Sequence, residues 1–313
     1  MLNDRPDIVW LEGFDQRLGL VPQLGGGIAA WQWLRAPAPV DLWRPWRGDS
    51  DDRYTLASFA MLPWSNRISG GGFTHDGRFH AMQPNRDGEP YPIHGDGWLQ
   101  PWQVTRVDGA HAVMHLHSRH AGGSPYAFEA EQRLRLVDGG LEQSVSVTHV
   151  GPEPLPYGLG LHPWFPRTAA TRLHAHVDGV WLSGRDPIPT AHTLRLPSSW
   201  DLRTGAPMHG ELIDNAYTGW DGRARIEWPE RALCLELEVL AIDTPLGLEA
   251  PAYCLVYRPP QGDAFCFEPI TQPIDAFHLQ GRPGLVTLAA GQTLSLRVRW
   301  GVSTYICSNL NPA

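Results

Sequence analysis

The chain contains no lysine; all 25 of its basic residues are arginine. That absence removes a P-loop lysine, Schiff-base catalysis and an attachment point for pyridoxal phosphate. Cysteine is almost as scarce, with Cys234, Cys254, Cys266 and Cys307 making up the set of four. None forms a CxxC pair or stands at zinc-binding distance in sequence from a histidine, which excludes a redox dithiol and a structural zinc site. No apolar stretch is long enough to span a bilayer, and the charged opening segment Met1–Asp7 lacks the apolar run of a secretory signal. Basic charge is in deficit, with 33 acidic residues giving a net charge of −8. A chain of that sign lacks the electrostatic footprint of a phosphate-backbone binder. The expectation is a soluble, reduced, cytoplasmic protein with no nucleic-acid and no membrane partner. The serine-hydrolase elbow GxSxG, HExxH and GxGxxG are also absent.

Glycine and proline are abundant, at 33 and 29 residues, and are spread along the chain rather than gathered into a linker. Such punctuation suits short strands joined by turns and works against long helices. Period-two alternation supplies the strands. Leu233, Leu235, Leu237 and Val239 share one face; Leu294, Leu296, Val298 and Trp300 share another; Ala224, Ile226 and Trp228 a third. Further strands are expected over Gly27–Arg35, Trp102–Val107, His111–Ser118, Tyr126–Val137, Leu141–Val150, Arg172–Val177 and Tyr253–Arg258. With no competing amphipathic helix, the pattern predicts an all-β chain, a large antiparallel β-sandwich, without a domain boundary over residues 1–313.

Five short segments carry residues suited to chemistry. Pro63-Trp64-Ser65-Asn66-Arg67-Ile68 precedes a glycine run, so Arg67 sits in a loop where its planar fork could meet hydroxyls or carboxylates, or could simply be a surface arginine. In Ile93-His94-Gly95-Asp96-Gly97-Trp98 an imidazole stands beside glycines and an aromatic plate, the alternative being a turn histidine bonded to backbone. In Leu161-His162-Pro163-Trp164-Phe165, the proline holds His162 extended at a strand end beneath two aromatics, or in a satisfied aromatic cluster. Phe265-Cys266-Phe267-Glu268-Pro269 sends a carboxylate out of an apolar strand stopped by proline. Such a group is costly to bury unless it has a task or an ion-pair partner, and burial raises its pKa toward the range of a general base. Asp214, before Asn215, could act or could make a turn. His115 and His117 face the same way on a strand, as in a cupin metal site, but no glutamate follows closely; solvent-facing histidines fit better.

Taken in order, Asn66-Arg67-Ile68, His94-Gly95, His162-Pro163-Trp164-Phe165, the Asp214 segment, Glu268-Pro269 and the closing run Gly284-Leu285…Gly291-Gln292-Thr293 resemble the aldose 1-epimerase (galactose mutarotase) family over about residues 20–302. The resemblance implies a large antiparallel β-sandwich with a cleft on one sheet, no cofactor or metal, and a small sugar as partner. It implies that Glu268 is the base and His162 the acid, and that Arg67, His94 and Asp214 hold the sugar hydroxyls, with Asn66 and Trp164 beside them. Ile93-His94-Gly95-Asp96 and Gly158-Leu159-Gly160-Leu161 depart from the pattern of galactose-acting members, which points to a divergent bacterial branch and leaves the sugar open. Three other readings stay in view: a catalytically silent sugar-binding sandwich, a sugar-phosphate epimerase with arginines converging at the cleft rim, and a metal-dependent cupin.

Overall fold

The computed structural model describes residues 8–34 and 38–304, so Cys307, the Arg35 end of the first expected strand and the opening segment Met1–Asp7 lie outside the described residues. Two large sheets dominate. The larger has ten strands, running in order Ala206–Pro207, Arg172–Ala175, Arg223–Trp228, Leu233–Thr244, Thr293–Thr304, Gly140–His149, Ala127–Val137, His111–Arg119 and Gln103–Asp108, with Gly247–Glu249 attached to Leu233–Thr244. The smaller has eight, in order Pro189–Thr193, Gly179–Ser183, Ile213–Thr218, Tyr253–Arg258, Ala264–Ile270, Gly160–Leu161 and Ala60–Met61, with Trp164–Pro166 attached to Ala264–Ile270. A four-stranded sheet begins at Val9–Gly13, and two two-stranded pairs complete the set. Strand pairing within the sheets is antiparallel throughout. The helical elements among the described residues are single 3-10 turns, and none is long and apolar enough to cross a membrane.

The alternation seen in the sequence builds this core. Leu294, Leu296, Val298 and Trp300 are all buried, and Trp300 reaches Phe165 of the smaller sheet, ring centroids 5.9 Å apart. Leu233–Thr244 runs longer than its alternating stretch because a bulge between Val239 and Ala241 shifts the register. The extra residue flips the phase, so Leu240 is exposed and Ile242 buried.

The smaller sheet is covered on both faces, which explains why all seven residues of Ala264–Ile270 are buried. Phe265 and Phe267 join the main core together with Val256 and Ile213. On the opposite face Ala216, Leu255 and Ile270 pack against Phe59, Met61, Ile93 and Trp98 from the segments that wrap over the sheet. The gap in that cover is the cleft described below.

Two local expectations are corrected. Glu268 does not stand at a strand end: pairing runs past Pro269 to Ile270, opposite Tyr253. One proline removes a single donor, and its neighbours carry the ladder. Asp214 lies inside strand Ile213–Thr218 rather than in a turn.

Candidate active site

Residue parity on the smaller sheet sets the floor of the cleft. Asp214 pairs with Tyr257, Tyr257 with Cys266, and Cys266 with Trp164, so one row crosses four strands with its side chains on the cover side. Glu268, two residues beyond Cys266, points the same way. His162 arrives from the break between Gly160–Leu161 and Trp164–Pro166. Its backbone N–H donates to the Phe59 carbonyl at 2.9 Å, and its ring stacks on Phe59 with centroids 4.5 Å apart. That packing brings His162 Nε2 to 3.4 Å from Glu268 Oε1. The other ring nitrogen, Nδ1, lies 3.7 Å from Cys266 Sγ.

Two interlocked loops supply the roof. The His94 N–H donates to the Asn66 carbonyl, and the Asn66 N–H donates to His94 Nδ1, both at 3.0 Å. Because Nδ1 accepts, the proton of the neutral His94 ring sits on Nε2. Gly95 makes the adjoining turn at φ +70°, where a Cβ would lie 2.0 Å from the Leu62 carbonyl oxygen, so only glycine fits. Asn66 Oδ1 accepts from the Arg67 N–H at 2.9 Å. The Arg67 guanidinium binds Glu89 in two-pronged fashion at 2.8 and 3.1 Å and reaches Asp214 at 3.2 Å. Arg67 is therefore a half-buried, fixed cation rather than a free surface arginine.

The resulting cavity measures about 520 Å³. Glu268, His162, Arg67, His94, Asp214, Asn66 and Trp164, the seven residues singled out in the sequence, all line it. Sequence reasoning did not find Tyr54, Glu89, Tyr257 or Arg44, which come from ordinary-looking segments. Tyr54 and Trp164 offer ring faces, each backed by an arginine: Arg86 lies 3.8 Å from the Tyr54 centroid and Arg44 4.1 Å from that of Trp164.

Burial controls the charges. It pushes the Glu268 carboxyl well above the carboxylate range, helped by Asp214 and opposed by Arg67. It holds His94 well below the ordinary imidazole value, with His162 and Arg67 adding to the effect. It also depresses His162 to about 3, aided by Arg44, Arg86 and Arg67. Glu268 and His162 thus meet as groups whose uncharged forms are favoured, not as a fixed ion pair. Glu268 Oε2 is buried with no hydrogen-bond partner among the described residues. An unpaired buried carboxylate oxygen is expensive.

His162, Cys266 and Glu268 have ligand-type atoms within 4.8 Å of one another. The shortest contact to each neighbour uses a different ring nitrogen, yet one nitrogen, the sulfur and one carboxylate oxygen stand close enough together to hold an ion. His115 and His117 lie elsewhere, on the larger sheet, each 3.4 Å from a glutamate of the next strand, Glu131 and Glu129. A second depression of about 510 Å³, on the larger sheet, is lined by charges that pair with one another, such as Arg223 with Glu238 at 2.7 Å.

Comparison with known proteins bears on the family and the fold. The family model of aldose 1-epimerase matches residues 15–300. The uncharacterised Escherichia coli K12 protein YphB is 33% identical over 253 residues, 77% of this chain and 83% of that protein. A crystal structure of an Escherichia coli K12 protein put forward as an aldose 1-epimerase superposes with a TM-score of 0.86 at 28% identity, covering 95% of this chain and 99% of that one. A galactose mutarotase-like protein from Clostridium acetobutylicum shares the fold at 16% identity, TM-score 0.81, with 95% of each chain covered.

Proposed function

The chain belongs to the aldose 1-epimerase family, and on that premise we propose that it is an isomerase interconverting the α and β anomers of a free aldose by acid–base ring opening and closure. The observation that carries this reading is the buried Glu268 carboxylate facing His162 Nε2 at 3.4 Å, with its second oxygen unpartnered among the described residues. A silent sugar-binding module has no use for that costly juxtaposition.

The two oxygens that must exchange protons, O1 and the ring oxygen O5, are bonded to the same anomeric carbon. A base and an acid whose nearest atoms are this close can address both at once. Glu268 takes the proton from the O1 hydroxyl as His162 Nε2–H delivers one to O5. The C1–O5 bond breaks and C1=O1 forms. The open aldehyde rotates about C1–C2, and O5 returns to the other face while both protons retrace their paths. A neutral imidazole is a weak acid, so its donation is concerted with proton removal by Glu268. Each group contributes on the order of 10²–10⁴-fold. Arg67, fixed by Glu89 and Asp214, and His94 through Nε2–H are donors for sugar oxygens, Asp214 and Asn66 are polar partners for hydroxyls, and Trp164 and Tyr54 present faces to the apolar side of the ring. Each bond change is driven by proton transfer, so the scheme calls for no cofactor.

A second reading has one observation in its favour. Arg44 lines the same cleft and makes no ion pair with a carboxylate among the described residues; it donates instead to the Tyr54 and Leu56 carbonyls. Such a cation would suit a sugar bearing an anionic group.

Polarimetry on freshly dissolved α-D-glucose, α-D-galactose and α-D-glucose 6-phosphate tests both. Faster approach to the same final rotation with a free sugar supports the first reading, and acceleration confined to the phosphate supports the second. In either case Glu268→Gln should lose about 10²–10⁴-fold in kcat while keeping its far-UV circular dichroism. Undiminished turnover in that variant would remove Glu268 from the mechanism.

A further inference from the structure

Strand Ala264–Ile270 presents two side chains to one imidazole. Cys266 and Glu268 are two residues apart and share a face, and His162 lies across them, Nδ1 toward Sγ at 3.7 Å and Nε2 toward Oε1 at 3.4 Å. A neutral imidazole carries one donor and one acceptor, and the hydrogen bond at one nitrogen decides which is which. When Glu268 is the carboxylate that a base must be, it can only accept, so Nε2 must carry the proton. Nδ1 must then find a donor. Among the described residues, the Cys266 thiol is the hydrogen-bonding side chain within reach of it, the ring's other polar contact being a backbone hydrogen bond within His162 itself. Tyr54, Phe59, His94 and Trp164 surround the ring through aromatic contacts instead.

We propose that Cys266 is a positioning residue, whose S–H donates to His162 Nδ1 and thereby holds the catalytic imidazole in the Nε2–H form that faces the anomeric oxygens. The assignment rests on the acid–base reading given above. Cys266 touches neither substrate oxygen; it acts through His162. The thiol is fully buried between Trp164 and Tyr257, its partners across the sheet, and so is shielded from oxidants. Burial, with Glu268 nearby, also pushes its pKa well up, which keeps the sulfur protonated and able to donate. Serine, the hydroxyl analogue of cysteine and nearly the same size, would supply a donor in the same place, whereas alanine would supply none.

The test uses full-length protein with ¹⁵N-labelled histidine at a pH above the acid limb of the rate profile, with His162 signals assigned by a His162→Gln variant. Long-range ¹H–¹⁵N spectra should report Nε2–H at His162 in the wild type and in Cys266→Ser. In Cys266→Ala they should report a mixture or the Nδ1–H form. In polarimetry, Cys266→Ala should lose about tenfold in kcat with KM unchanged, and Cys266→Ser should recover most of it. The proposal is overturned if wild-type His162 holds its proton on Nδ1, or if Cys266→Ala keeps Nε2–H. It is overturned equally if kcat survives the loss of the tautomer, or if serine fails to restore it. If the wild type accelerates none of the sugars tried, the acid–base reading fails, while the spectra still decide whether Cys266 sets the ring.

Discussion

The protonation of Glu268 is set by its neighbours, and those neighbours can be changed singly. In the proposed reaction Glu268 works as the carboxylate, so kcat/KM should fall as pH drops through its pKa in the free enzyme. Burial and the negative charge of Asp214 both raise that pKa, which places the acid limb above the ordinary carboxylate range. Asp214→Asn removes a charge that raises it. The same change frees one contact of Arg67, whose positive field lowers it further. Both effects have one sign, so the acid limb of the variant should move to lower pH. Its KM should rise about tenfold, for a lost charged hydrogen bond. A pH–rate profile by polarimetry checks this, and a limb that stays in place or moves upward would show that Asp214 does not act on the base. At this scale, turn glycines, a His-Pro break and a carboxylate in an apolar strand pointed to Arg67, His94, His162 and Glu268, whereas Asp214, Asn66 and Trp164 entered through the family resemblance. Glu89, Tyr54 and Tyr257 gave no such signal. Glu89 matters only because Arg67 folds onto it from 22 positions away, and Tyr257 only because strand register sets it between Asp214 and Cys266.

Strands announce themselves when one face is buried and the other wet; the three with the clearest alternation, Leu233–Val239, Arg223–Trp228 and Thr293–Trp300, belong to the larger sheet, while Tyr253–Arg258, also expected, lies in the smaller. Ile213–Thr218 was hidden because aspartate and asparagine are poor strand residues. Its two polar side chains are held there by tertiary bonds, Asp214 to Arg67 and Asn215 to the Trp181 carbonyl at 2.8 Å. The pairs Ala60–Met61 and Gly160–Leu161 are too short to show any period. Their position depends on loops, and Arg258, the last residue of its strand, illustrates how loops are tied to the smaller sheet. Fully buried, it donates to the carbonyls of Glu211 at 2.9 Å, Ser199 at 3.0 Å and Pro207 at 2.7 Å. Arg258→Met fills similar space but leaves these acceptors unpaired. The variant should lose about 3 kcal/mol of stability, read as a lower urea midpoint with an unchanged slope. A midpoint within error of the wild type would mean that the loops at 199, 207 and 211 satisfy themselves.

Across the whole molecule, the two large sheets are threaded through one another in sequence. The larger takes strands from residues 103–149, 172–175, 206–207, 223–249 and 293–304, and the smaller takes 60–61, 160–166, 179–193, 213–218 and 253–270. No single cut separates them. Their inner faces also meet in one buried cluster that includes Phe165, Phe267, Leu237 and Trp300. We infer from this interleaving that the chain folds as one unit. Removing either sheet would expose the apolar face of the other, and the cleft residues come from strands of the smaller sheet and from the segments laid over it, so the site has no independent support. Calorimetry should therefore give one endotherm whose van't Hoff and calorimetric enthalpies agree, and loss of sugar-epimerising activity on heating should coincide with it. The destabilised Arg258→Met chain should show the same single transition at a lower temperature. Two resolved transitions, or activity lost well before the main one, would split the molecule into separately stable parts, with the loops over the smaller sheet as the weaker.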